Sequence, residues 1–233
     1  MPTITTRSTQ QESALANHIS QTFNYMAAGV GLSGVVAYLV STSPMLMNLA
    51  LKGNLVFLLV WLAFGFFMHK IVFSLQPAAA LATFAAFSAL TGFALAPLVF
   101  MYTNASIVAA FATASVMFAG ASAYGYFTHK SLSGWGTFLI MGMWGLLGLG
   151  VTTIVLGLFG VNTGGMSFAF SLIAVPLFAG VTAWEVNTIR ETFAQYGRDE
   201  LLRSRLAILS ATSLYMNFIN IFINLLQLMG DRR

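Results

Sequence analysis

Seven stretches of apolar residues alternate with short polar breaks along the chain. Each stretch has roughly the 20 residues that an α-helix needs to cross the hydrocarbon core of a bilayer. The breaks are too short to hold separate domains, so we expect neighbouring spans to pair as antiparallel hairpins. The predicted spans cover residues 23–43, 54–75, 78–100, 105–127, 135–159, 166–189 and 208–228.

The regions outside these spans are small. Residues 1–22 form a polar tail that has no apolar core followed by a small-residue cleavage site, so we expect the first span to be retained. Residues 190–207 form the one strongly charged break, which we interpret as a cytoplasmic loop. We therefore predict a single all-α integral membrane domain of seven transmembrane helices over residues 23–230.

The amino-acid composition indicates whether water or lipid surrounds the chain. Hydrophobic residues make up 58% of the chain and charged residues 7%, whereas a soluble domain has roughly 25% charged residues. The net charge is +4, but the basic residues are scattered between the spans, which is typical of topological signals and not of nucleic-acid binding. The absence of cysteine excludes disulfides and thiolate metal sites. The lipid bilayer is the predicted surrounding.

The basic residues predict an orientation with the N-terminus in the cytoplasm and the C-terminus in the periplasm. Seven of them then lie inside and three outside: Arg7, Lys70, Lys130, Arg190, Arg198, Arg203 and Arg205 against Lys52, Arg232 and Arg233. The two C-terminal arginines weigh against a periplasmic C-terminus. A seventh segment that does not fully cross is the alternative.

The last span carries a polar stripe. Its polar residues recur at steps of three and four and therefore share one helix face: Ser210, Ser213, Asn217, Asn220, Asn224 and Gln227. Unpaired amides cost several kcal/mol each in hydrocarbon, so this face should be turned away from lipid. The stripe either holds the bundle together through hydrogen bonds to neighbouring helices or lines a polar pathway.

Glu185 is the one acidic residue inside an apolar span. A carboxylate in the membrane costs about 3 kcal/mol or more unless it is paired, hydrated or neutral, which marks it as a functional candidate. We expect Lys70, or alternatively His69, to pair with Glu185 near the mouth of the stripe. The competing interpretations are that Glu185 is hydrated close to the cytoplasmic surface and that Lys70 extends to that surface.

Three segments resemble the Bax inhibitor-1 family: LFAGVTAWEVNTIR at 177–190, SLYMNFINIFINLLQLMG at 213–230 and YGYFTHKSLSGWGTFLIMG at 124–142. The resemblance implies six helices arranged around a central seventh. It also implies passive calcium conduction whose pH sensitivity comes from two Asp carboxylates, one on each of the last two helices, that share a proton. Some bacterial relatives are instead partners of a membrane-bound AAA protease.

The chain departs from the family pattern at the acidic pair. The first Asp position is Glu185 and the second is Asn217, while the cationic position on the second helix falls at Lys70 or His69. Two adjacent carboxylates hold one proton because both cannot ionise cheaply, whereas a carboxylate beside an amide has no such repulsion. The resemblance and this departure together predict altered pH gating.

No enzyme class fits the sequence well. Ser122 and His129 have the residue types of a serine hydrolase but an incomplete motif, one buried carboxylate is too few for an aspartyl protease, and His18, His69 and His129 lie too far apart in sequence for a zinc site. We expect no catalysis and no cofactor. Two hypotheses remain for this bacterial inner-membrane protein. The first is a cation leak channel, with calcium as the expected ion. Its expected pathway and gating residues are Glu185, Asn217, Lys70, His69, Asn220, Asn224 and Ser213. The second is a membrane-embedded regulator that binds a protease or quality-control complex.

Overall fold

The computed structural model describes residues 4–128, 130–196 and 199–232, with side chains from Glu12 onward except at residues 54–58 and 196. His129, Arg198 and Arg233 lie outside the described residues. Over the described ranges the chain forms eight α-helices and no extended strand. They are α1 (Ile4–Thr42), α2 (Pro44–Lys52), α3 (Asn54–Ser74), α4 (Pro77–Met101), α5 (Asn104–Phe127), α6 (Ser133–Leu158), α7 (Gly164–Tyr196) and α8 (Glu200–Met229).

Each predicted span coincides with a helix. Six helices, α1 and α4–α8, are long and apolar enough to cross a membrane. The remaining span corresponds to α3, in which the residues with described side chains form a shorter apolar segment, Leu59–Ser74. The all-helical class predicted from the pattern is therefore confirmed for the described part of the chain.

Two regions that the pattern separated from the spans are largely helical. The polar tail is the first part of α1, which begins at Ile4. In the charged segment, residues 190–196 continue α7 and residues 200–207 open α8, so three residues separate these helices. Long charged side chains have good helix propensity, and a helix can continue beyond the apolar core into water. The change from apolar to polar residues therefore predicted where the apolar segments end, but not where the helices end.

The chain divides into two compact units. The first contains α1–α4 and residues 189–215. In it Gly92 of α4 touches the backbone of Ser33 in α1, where an added Cβ would clash. The Ser33 hydroxyl donates to the Ser88 carbonyl over 2.7 Å and lies 2.6 Å from the Tyr215 hydroxyl. Tyr215 is 0% exposed and packs edge-on against Phe84, so this tyrosine joins residues 189–215 to α1 and α4.

The second unit contains residues 102–188 and the chain from Met216 onward. Phe111 and Phe118 of α5 pack edge-on against Phe218 of α8, with ring centroids 5.5 and 5.7 Å apart. Beyond α8, the Thr103 N–H donates to the Asp231 carbonyl over 3.1 Å, next to an isolated antiparallel bridge between Tyr102 and Arg232. The C-terminal end of α8 is thus attached to the start of α5.

The last helix is the most buried of the six candidate spans. Of its most apolar window, 56% is buried, against 11–33% in the other five. Within the polar stripe, Asn217 and Asn224 are buried and Gln227 is exposed, so the expectation that the whole stripe is turned away from lipid stays a prediction. The arrangement of six helices around a central seventh stays a prediction.

Candidate functional site

Glu185 of α7 and Asn217 of α8 are joined by a hydrogen bond. Asn217 Nδ2 donates to Glu185 Oε2 over 2.8 Å. Asn217 is 5% exposed and Glu185 is half-buried. Because the acceptor is a carboxylate, such a bond contributes about 1.5–3 kcal/mol. The structure therefore brings together the two residues that stand where the family resemblance places its paired acids.

Two glycines bring neighbouring helices against the turn of α7 that carries Glu185. Gly125 of α5 is so close to Ala183 that an added Cβ would clash with the Ala183 carbonyl oxygen. Gly136 of α6 lies against Trp184, and a Cβ there would be 2.9 Å from the indole ring. Small residues at such contacts let helix backbones approach closely in lipid. The position of Glu185 is consequently fixed by close packing of α5 and α6 on α7.

Asn187 attaches the connection between α5 and α6 to the same turn. Its Oδ1 accepts the Leu132 N–H over 2.9 Å, and its Nδ2 lies 3.4 Å from the carbonyl oxygens of both Gly125 and Lys130. The side chain is 1% exposed. The Asn187 amide thus satisfies backbone groups that the end of α5 would otherwise leave unpaired. It does so two residues from Glu185.

The polar stripe continues along α8 beyond Asn217. Asn220 Nδ2 donates to the Met216 carbonyl and Asn224 Nδ2 to the Asn220 carbonyl, both over 2.8 Å. Asn224 is buried, and its Oδ1 has no hydrogen-bond partner in the described part of the chain. At the far end, the Ser171 hydroxyl of α7 donates to Oε1 of the exposed Gln227 over 2.8 Å. Polar contacts with α7 therefore occur at both ends of this half of the stripe.

The remaining predicted site residues lie in the first unit. Ser213 is half-buried on the stripe of α8. Lys70 and His69 are exposed near the end of α3, and the His69 ring lies 4.8 Å from the Phe73 ring. The expected pairing of Lys70 or His69 with Glu185 joins residues of different units and stays a prediction.

The sequence pattern did not identify Asn187 or Ser171 as site residues. Ser122 entered only as the nucleophile of an incomplete hydrolase motif. A polar residue between apolar neighbours in a helix gives no indication of which helix it meets. The one available signal was the Asn187 position, two residues after the only membrane carboxylate. A similar signal does not exist for Ser171.

A metal centre built from charged ligands is not seen at the site. Across the described residues there is no cluster of three or more His, Cys, Asp or Glu side chains that could hold a metal ion. Neutral oxygens with few charges suit hard cations held weakly.

These features define the class first: a helical membrane protein of several spans with a carboxylate–amide pair between its last two helices. Comparison with known proteins then gives the family. The family model described as Inhibitor of apoptosis-promoting Bax1 matches residues 15–233, and the chain belongs to the Bax inhibitor-1 family.

Relatives of similar length occur in several bacteria. The chain is 31% identical to the inner membrane protein YbhL of Escherichia coli, over 96% of this chain and 95% of YbhL. It is 32% identical to an uncharacterized protein of Rickettsia prowazekii, over 99% and 96% of the two chains. A Deinococcus radiodurans protein is 33% identical over 92% and 90%. The resemblance noticed in the three segments is thereby confirmed over nearly the whole chain.

Proposed function

We propose that this protein is an inner-membrane channel through which cations, calcium in particular, leak passively along the polar stripe of α8. The observation that carries the proposal is the Glu185–Asn217 hydrogen bond of 2.8 Å. It places the one carboxylate of the apolar spans directly on the amide stripe. A negative charge at this point attracts cations, and the amides beyond it offer neutral oxygens that can replace part of a hydration shell.

The pair also supports altered pH gating. A proton shared between two carboxylates depends on their mutual repulsion, and Asn217 carries no charge. Without that repulsion the pair lacks a shared-proton switch, and we expect conduction to change little between about pH 6 and pH 8. Gating would then rest on conformational change in the bundle and not on a shared proton.

The proposed location follows the relative in Escherichia coli, whose name describes an inner membrane protein. With the N-terminus in the cytoplasm, Glu185 belongs to the cytoplasmic half of α7 and Gln227 to the periplasmic half of α8. The exposed Gln227 side chain would then form the outer end of the pathway.

Purified protein in liposomes that contain a calcium-sensitive dye tests the proposal. Glu185→Gln should lower calcium flux about tenfold or more, because it removes the charge but keeps the shape of the side chain. Glu191→Gln is the matched control: it makes the same change on the same helix, but six residues on its side chain is turned by about 240°. Equal flux through wild type and Glu185→Gln would refute the assigned site. No flux through wild type would refute the channel and favour the regulator hypothesis.

A further inference from the structure

Pro176 lies inside α7, and the parts of the helix before and after it are packed differently. The part after it is held closely by α6. A Cβ added at Gly142 would be 2.7 Å from the Leu177 side chain, and one added at Gly180 would be 3.1 Å from Leu139. The glycine contacts at the acidic turn continue this close packing. This part of α7 therefore cannot move without moving its neighbours.

The part of α7 before the proline, residues 164–175, has fewer packing contacts. Most of its side chains are exposed or half-buried, and the buried ones are Ser171, Ala174 and Val175. Its polar contact with α8 is the 2.8 Å hydrogen bond from the Ser171 hydroxyl to Gln227 Oε1. Because Ser171 is 0% exposed, this bond lies where the segment touches the rest of the second unit.

The proline makes the boundary between the two parts easy to bend. Pro176 has no N–H, so the Leu172 carbonyl four residues earlier lacks its usual helical donor. Sharp kinks in helices occur mainly at such prolines, and membrane helices tolerate them. The change in packing and the weakest point of the helix backbone therefore coincide at Pro176, which is the arrangement of a hinge.

The segment that precedes the hinge lies over the polar stripe of α8. Asn224 and Gln227 are three residues apart and share one face of that helix. Asn224 is 3% exposed, and its Oδ1 has no hydrogen-bond partner in the described ranges. A buried amide oxygen in this state is costly unless water reaches it. Separation of Ser171 from Gln227 would let water reach this oxygen from the end of the stripe.

We propose that residues 164–175 form a gate at the Gln227 end of the pathway. The gate bends at Pro176, and the Ser171–Gln227 hydrogen bond holds it closed. This assignment rests on the proposed function, because it names what regulates conduction, but the bending can be measured without flux. It also supplies the conformational control that a pair without a shared proton requires.

Calcium flux in liposomes tests the gate. Ser171→Ala removes the closing hydrogen bond, so flux should rise about two- to tenfold, the factor by which one hydrogen bond changes an equilibrium. Pro176→Ala restores the missing N–H and should lower flux by a similar factor. Two matched controls should leave flux unchanged: Ser115→Ala, whose hydroxyl bonds to the Phe111 carbonyl of its own helix, and Pro97→Ala, which makes the same change in α4.

Spin labels measure the bending itself. The chain has no cysteine, so two introduced cysteines can be labelled specifically. Phe168 on α7 and Val116 on α5 suit this purpose, since they are 56% and 74% exposed. In the labelled protein, Ser171→Ala should increase the fraction of a second inter-label distance about two- to tenfold. Pro176→Ala should leave one narrow distance distribution.

Either measurement can overturn the gate. One contrary result is a distance distribution that is the same with and without Ser171→Ala and Pro176→Ala. The other is a wild-type flux that both variants keep. Distances that respond as expected in a protein without calcium flux would support the hinge and refute the proposed channel.

Discussion

Replacing Asn217 by aspartate should make calcium flux through this protein depend on pH. Asn217 donates to Glu185 over 2.8 Å, so Asn217→Asp places a second carboxylate directly against the first. Both groups lie in a partly buried seam, where water screens them less than at the surface. The variant would restore an acidic residue at both of the family's paired positions, where this chain has only Glu185.

The size of the effect follows from the separation. With charge centres about 4 Å apart and an effective dielectric constant near 20, two carboxylates repel by about 4 kcal/mol. At about 1.4 kcal/mol per factor of ten, this is roughly a thousandfold preference for retaining one proton. The proton is released as the pH rises through the neutral range, and the net charge of the pair then changes from about −1 to about −2. Cation binding should increase with that second charge.

Calcium flux in dye-loaded liposomes at about pH 6, 7 and 8 measures this directly. Wild type should vary little, whereas flux through Asn217→Asp should change on the order of tenfold across the series, since each pH unit changes proton occupancy by up to about tenfold. Asn220→Asp is the matched control, because Asn220 bonds to its own helix at the Met216 carbonyl. A flat profile for Asn217→Asp would refute the electrostatic reasoning, as would a steep profile for wild type.

Two further predictions concern packing. Gly125→Ala should lower the free energy of unfolding by about 1–3 kcal/mol, because the added Cβ meets the Ala183 carbonyl. Gly120→Ala is the control in the same helix: nothing lies within 4 Å of its added Cβ, so it should be neutral or stabilising. Equal Tm values for the two variants would contradict this prediction. Tyr215→Phe should lower the free energy of unfolding by about 1 kcal/mol, because it removes the 2.6 Å hydrogen bond with Ser33. Tyr38→Phe is the control, since that side chain is 65% exposed, and it should have no effect on Tm. An unchanged Tm for Tyr215→Phe would show that the hydrogen bond contributes nothing.

The sequence predicted the long apolar helices because membrane helices follow one strong rule, a run of about 20 apolar residues. It did not predict α2 (Pro44–Lys52), which lies where a break between two spans was expected. The spacing of Asn217, Asn220 and Asn224 also predicted a common face, since a helix repeats every 3.6 residues. The spacing could not predict which neighbour that face meets; only the family resemblance placed Asn217 beside Glu185. The contact of Asn217 with Glu185 depends on how α7 and α8 pack, and residues 32 apart in sequence leave no periodic signal. The sequence also gave no sign that Gly125 and Gly136 contact α7 beside Glu185.

The energetics of the seam between α7 and α8 support the proposed passive pathway. An isolated charge in the membrane costs about 3 kcal/mol, and the charge-assisted bond from Asn217 offsets about 1.5–3 kcal/mol of that cost. The hydrogen bond therefore offsets much of the cost of placing the Glu185 side chain in the membrane. A second carboxylate would add repulsion of about 4 kcal/mol at each ionisation and would tie conduction to a proton. With asparagine in that place, the proposed pathway has a single carboxylate at this point, and we expect its cation occupancy to follow the concentration of the cation and not the pH.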